Sequence, residues 1–123
     1  MIVSDWRRLP ADVVAELYRR ERDRWRRQLS WETASNWHTL ETARTTWGLP
    51  GFVCRDADGR IRGWTFYLER DDRIEVGGFI ADDPRATRLL VASLLDCVRP
   101  GGELSGFLYT DAPGLDAALA WSG

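Results

Sequence analysis

The sequence contains no lysine; all 17 of its cationic side chains are arginine. Arginine throughout fits a GC-rich coding bias and needs no functional reading. There is one histidine, His38, and there are two cysteines, Cys54 and Cys97. Neither cysteine belongs to a C-x-x-C pair, and His38 has no H-x-H or H-x-x-x-H partner. Structural zinc sites are built from such spacings, so no metal is expected. Two free, buried thiols in a reducing cytoplasm are the expected state. With a single histidine, Ser/His/Asp or Cys/His chemistry would rest on His38 alone, and nothing beside it supplies the other members. No apolar run reaches the roughly 18 residues of a membrane span, and the start, MIVSDWRRLP, lacks the apolar stretch of a secretory signal. A membrane partner is therefore not expected, and the cytoplasm is the expected location. Phosphate-binding P-loops, Rossmann fingerprints and G-x-S-x-G elbows are absent, as are repeats, low-complexity tracts and linkers.

What is present suits one globular domain. The chain has 123 residues, 44% of them hydrophobic and 29% charged, with seven tryptophans. A chain of this size buries roughly two thirds of its unfolded surface. The net charge of −2 does not favour a polyanion partner, so no nucleic acid is expected. Charge is uneven, however. Residues 7–27 carry eight Arg against Asp12, Glu16, Glu21 and Asp23. Interleaved acids, with Glu16–Arg20 and Asp23–Arg27 at i,i+4, read as a solvated helix face. The other reading is a site for RNA or an acidic partner.

Periodicity divides the chain into elements. A short strand is expected over Ile2–Arg8. Pro10 then opens a helix in which Val14, Leu17, Tyr18, Trp25 and Leu29 recur at helical spacing. Thr33 suits the N-cap of a second helix running to about Trp47, with Trp37, Leu40, Ala43 or Arg44, and Trp47 on one face. The segment Gly48-Leu49-Pro50-Gly51 stops it. The period then changes to two. Strands are expected at Phe52–Arg55, Arg60–Arg70 and Arg73–Ala81, joined by Asp56-Ala57-Asp58-Gly59 and Asp71-Asp72. In the middle strand Ile61, Gly63, Thr65 and Tyr67 face one way and Arg62, Trp64, Phe66 and Leu68 the other. A helix over about Arg85–Val98 follows, then a strand from Glu103 to Thr110 and a last helix from Leu115 to Trp121.

The order β-α-α-β-β-β-α-β-α, with the run Gly51 to Trp64 and the run Ile74-Glu75-Val76-Gly77-Gly78-Phe79-Ile80-Ala81-Asp82-Asp83-Pro84, resembles the GNAT superfamily of acyl-CoA N-acyltransferases. The first run is similar to strands two and three of that family, and the second to strand four and its exit toward the cofactor-binding helix. Leu104 to Gly123 looks like strand five and the helix after it. The resemblance implies an α/β (α+β) fold: a mixed, mainly antiparallel central sheet flanked by helices. It implies one GNAT-like domain over residues 1–123, lacking the C-terminal strands, like one module of a tandem-GNAT protein.

By the same resemblance, Glu75 takes the place of the carboxylate base that deprotonates an amine. The plain alternative is a strand residue paired with a neighbouring Arg. The backbone of Phe79, Ile80 and Ala81 takes the place that binds the pantetheine arm of acetyl-CoA or another acyl-CoA; the alternative is ordinary strand pairing. Tyr109, closing strand five, offers a phenol to the same crevice, or else is a buried Tyr with a satisfied hydroxyl. Trp31, Trp37, Trp47 and Trp64 either line an aromatic acceptor pocket or, for Trp37 and Trp47, belong to the core.

The departures are as informative. Family members begin the helix after strand four with a glycine-rich loop whose N–H groups cradle the CoA diphosphate. Here Pro84-Arg85-Ala86-Thr87-Arg88-Leu89-Leu90 contains no glycine. Arg85 and Arg88 then attract an anion as charges rather than as a backbone cradle. Where the family often has a general-acid Tyr, this chain has Leu119. Three readings follow. The first is a degenerate acyl-CoA site in a binding or scaffold module, a pseudoenzyme. The second is an active acetyl-CoA-dependent N-acetyltransferase acting on a small-molecule amine and completed by a second chain or domain. The third is a small-molecule-binding protein or other enzyme using the aromatic crevice. If strand five is an edge, a second copy is the simplest cover, so a homodimer, or docking to a second GNAT-like domain, is expected.

Overall fold

The structure, a computed structural model, describes residues 1–29 and 37–106. Two compact units form. One is Arg7–Leu49; the other joins Met1–Trp6 to the chain from Pro50 onward.

The helical unit contains α1 (Ala11–Leu29) and α2 (Trp37–Thr45). Val14 and Leu17 of α1 are buried, as its helical spacing requires, and so are Leu9 ahead of α1 and Leu49 after α2. Between the two residues offered by periodicity, Arg44 is the buried one, 3% exposed. Its guanidinium donates to the carbonyls of Leu9 (2.9 Å) and Arg7 (3.2 Å) and pairs with Glu41 at 2.6 Å. The helix stops at Thr45 rather than Trp47. Gly48, at φ 67°, turns the chain so that the Leu49 N–H reaches back to the Ala43 carbonyl at 2.9 Å. Trp47 lies beyond the helix and is 72% exposed, which corrects its expected place in the core. Helical spacing has no force once the helix has ended. The expected N-cap Thr33 lies outside the described residues.

The sheet unit is a five-stranded, mostly antiparallel sheet in the order β1 (Ile2–Asp5), β2 (Gly51–Arg55), β3 (Ile61–Arg70), β4 (Arg73–Ala81), β5 (Glu103–Gly106). β1 to β4 pair antiparallel; β5 lies parallel to β4 after the crossover helix α3 (Pro84–Asp96). The fold class is mixed α+β. β1 ends at Asp5, short of the expected Arg8, because the chain tightens into a 3-10 turn at Trp6–Arg8. That turn buries Trp6 completely. α3 ends at Asp96, two residues early, with Cys97 and Val98 donating to Leu94 and Leu95. β5 is described to Gly106; its expected continuation to Thr110 and the last expected helix lie outside the described residues.

Local chemistry sets the turns. Asp56 Oδ1 accepts from the N–H groups of Asp58 (2.9 Å) and Arg60 (3.0 Å), and Oδ2 from Arg62 Nε (2.8 Å). Gly59 takes φ 80° there. The Asp71-Asp72 turn places Asp71 at φ 53°, a conformation Asp tolerates better than most residues.

The two sheet faces differ. Ala86, Leu90, Val91 and Leu94 of α3 pack with Cys54, Tyr67, Ile74, Val76, Phe79 and Ala81. Gly63 permits that approach: a Cβ there would lie 2.8 Å from both Leu90 Cδ1 and the Ile80 carbonyl oxygen. On the opposite face Trp6 stacks on Phe66 at 5.2 Å and 9°, and tilts against Trp64 at 5.3 Å. Gly77 is the extra residue of a bulge, since Phe66 pairs with Gly78 and Tyr67 with Val76.

Candidate functional site

The residues singled out in the sequence converge on β4 and the start of α3. Alternation corrected for the Gly77 bulge puts Ile74, Val76, Phe79 and Ala81 on the α3 side. Glu75 and Ile80 then share the other face with Trp64 and Phe66. Glu75 pairs with Leu68 and Ile80 with Trp64. Four residues of β3 separate these positions, about 13 Å along the strand. The structure thus places Glu75 and Trp64 on one face without bringing them together.

Glu75 is half-buried and held at both oxygens. Arg73 Nη2 lies 2.6 Å from Oε1 and Arg70 Nε 3.3 Å from Oε2. A base must present a carboxylate oxygen within about 3 Å of the proton it takes. Here each oxygen already faces a guanidinium. Arg73 also reaches toward Glu103 of β5 at 3.8 Å. Beside this network an open cleft of about 560 Å³ is lined by Arg70–Arg73 and Gly101–Glu103. It lies at the β3–β4 turn, the end of β4 away from the start of α3, and its lining mixes both signs of charge.

Phe79, Ile80 and Ala81 are buried, at 0%, 1% and 0% exposure. Their positions pair with Thr65, Trp64 and Gly63 of β3. Thr65 adds a hydroxyl bond to the Gly78 carbonyl at 2.7 Å, which fixes β4 against β3. Trp64 is wholly buried, and its indole Nε1 is the one buried side-chain nitrogen or oxygen without a hydrogen-bond partner among the described residues. Trp37 opens α2, but its side chain is not among those described. Trp31 and Tyr109 lie outside the described residues.

The start of α3 is built by Asp83, Pro84 and Thr87, residues that mark the helix entry in the sequence but were given no capping role there. Asp83 is the N-cap: its Oδ1 accepts from the Ala86 N–H at 2.8 Å. Its carbonyl accepts from the Thr87 N–H (3.1 Å) and hydroxyl (3.2 Å). Pro84 occupies the first turn and has no N–H. Asp-Pro before an apolar period is the standard sign of such a start, so the signal was present. Ala86 and Thr87 are 0% exposed, whereas Arg85 and Arg88 face solvent. The Asp83 charge is felt in the sheet: burial, and then that charge, push the Cys54 thiol above its ordinary value.

Among the described residues no group of three or more His, Cys, Asp or Glu side chains is placed to hold a metal ion. No described helix is long and apolar enough to cross a membrane.

These features define an α+β protein whose sheet and crossover helix meet at a capped helix start. No family model matches the chain, and no curated protein does. A crystal structure of a mutant of TTHA1254 from Thermus thermophilus is similar, with a TM-score of 0.53 and 15% identity. The match covers 100% of this chain and 88% of that one. The likeness is one of fold.

Proposed function

We propose that the chain is a GNAT-type domain with a degenerate acyl-CoA site, serving as a binding or scaffold module. The resemblance of the β2–β4 meander supports the family reading, as does the order meander, crossover helix, parallel fifth strand. The observation that carries the degenerate reading is the start of α3. A diphosphate cradle needs several backbone N–H groups and room for oxygens against them. Here Pro84 supplies no N–H, the Ala86 N–H is taken by Asp83, and the Thr87 N–H is bonded to the Asp83 carbonyl. These residues do not fit the CoA diphosphate. The module's partner, in this reading, is a second copy or a second domain of its kind.

Calorimetric titration of the purified chain with acetyl-CoA, against CoA, tests the proposal. No heat of binding at millimolar ligand is expected. Micromolar binding would overturn it and favour the N-acetyltransferase reading, in which Glu75→Gln is the next variant to assay for turnover.

A further inference from the structure

We infer that the place Trp6 fills over Trp64 and Phe66 is a binding site for a flat, uncharged heteroaromatic ligand, whose acceptor atom takes the Trp64 Nε1 hydrogen, and that Trp6 is the chain's own placeholder there. The site lies on the sheet face opposite α3 and stands apart from the reading of the α3 start. Trp64 is wholly buried, and its indole N–H has no hydrogen-bond partner among the described residues. A buried donor without an acceptor forfeits the bond that water would give it, and such donors are rare in folded chains. The named neighbours of Trp64 do not answer it. Val53 and Ile80, its pairing partners on β2 and β4, are buried aliphatic residues. Trp6 and Phe66 bring their rings to 5.3 and 5.4 Å, tilted by 48° and 50°. An indole nitrogen only donates, and a ring face accepts weakly. Trp6 therefore matches the shape of this place but not its polarity.

The three rings are held unequally. Trp64 and Phe66 belong to β3, which is paired on both sides, with β2 and with β4. Trp6 follows β1, a four-residue strand that pairs with β2 alone among the described residues. Its ring stacks on Phe66 at 5.2 Å and 9°. Of the three it is the ring free to exchange, and a flat bicyclic ligand stacked on Phe66 replaces its contact. Charge sits at the two ends of this face. Arg62, two residues before Trp64, is met by Asp56 at 2.8 Å, with Asp82 and Asp83 also acting on it. Glu75, held by Arg70 and Arg73, lies at the other end. The side chains named around Trp64 carry no charge, so the place fits an uncharged ligand with a single acceptor.

Quinoline and indole, both uncharged at mildly alkaline pH, are the probes. Each is a flat bicycle, but quinoline carries a nitrogen acceptor and indole only a donor. The nitrogen–proton correlation spectrum of the full chain displays the tryptophan indole N–H signals, and sequential assignment identifies that of Trp64. In wild type, quinoline is expected to move the Trp64 signal and to bind about tenfold more tightly than indole, the ratio that one satisfied buried N–H supports. Trp64→Phe keeps a ring and loses the donor, so there quinoline is expected to bind no more tightly than indole. Trp6→Ala removes the placeholder and is expected to tighten quinoline about tenfold or more, with thermal unfolding to confirm that the variant is folded. A Trp64 signal unmoved by millimolar quinoline in wild type would overturn the inference, whatever the variants do. Equal wild-type affinity for quinoline and indole would overturn it as well.

Discussion

Arg44 is the residue on which the helical unit closes. Its charge is almost wholly out of water, and it answers three groups at once: the Arg7 carbonyl, the Leu9 carbonyl and the Glu41 carboxylate. Methionine at this position would fill much of the space. It would leave the buried Leu9 carbonyl, the partly buried Arg7 carbonyl and a partly buried carboxylate without this donor. Removing one partner of a buried pair costs about 3–5 kcal/mol. Because Glu41 keeps some exposure, Arg44→Met is expected to cost somewhat less, about 2–4 kcal/mol. Urea denaturation reads it as a lowered midpoint with an unchanged slope; a change under about 0.5 kcal/mol would show that the network is not structural.

At the scale of elements, the contact between α3 and the sheet depends on an absent side chain. Gly63 lies under Leu90 and beside the Ile80 carbonyl, and a methyl there meets both at 2.8 Å. Overpacking of this kind costs about 1–3 kcal/mol. Gly63→Ala is expected to lower the thermal midpoint accordingly. The second site of the clash is backbone, which cannot be trimmed. The double variant Gly63→Ala, Leu90→Val is therefore expected to recover little of the loss; full recovery would show that Leu90 alone made the conflict. On the far face, the rings of Trp6, Phe66 and Trp64 pack on one another. The 3-10 turn after β1 exists to lay Trp6 on them.

For the whole molecule, titrations shape stability at both ends of the pH range. The Arg62 guanidinium, and then the turn amides, hold the Asp56 carboxyl below its ordinary value. A depressed carboxylate stabilises the fold above the unfolded value of about 4, and the gain is lost as pH falls through the lower folded value. Burial and Asp83 hold the Cys54 thiol above its ordinary value. A raised thiol leaves stability intact below about 8.5, and stability is lost as pH rises through the folded value. A plateau between these limits is expected in urea midpoints measured from pH 3 to 10. Asp56→Asn should flatten the acid limb and Cys54→Ala the alkaline one, whatever each does to the plateau height. An alkaline limb unchanged in Cys54→Ala would remove the thiol as its cause.

The sequence by itself determined the meander, its two turns, the position of α3 and the missing glycines at its start. Those features are local: period-two alternation, Asp and Gly at turns, and a Pro in the first helical turn act over a few neighbours. Even the Asp83 cap was legible there, as Asp-Pro before an apolar period. Tertiary structure decided what depends on distant partners. It set the parallel pairing of β5 with β4 and the Gly77 bulge that fixes which face Glu75 shares. It also ended β1 at Asp5 and put Trp47 in solvent. The pairing of β5 with β4 and the burial of Trp6 beyond the end of β1 join residues far apart in the chain, which no local pattern encodes.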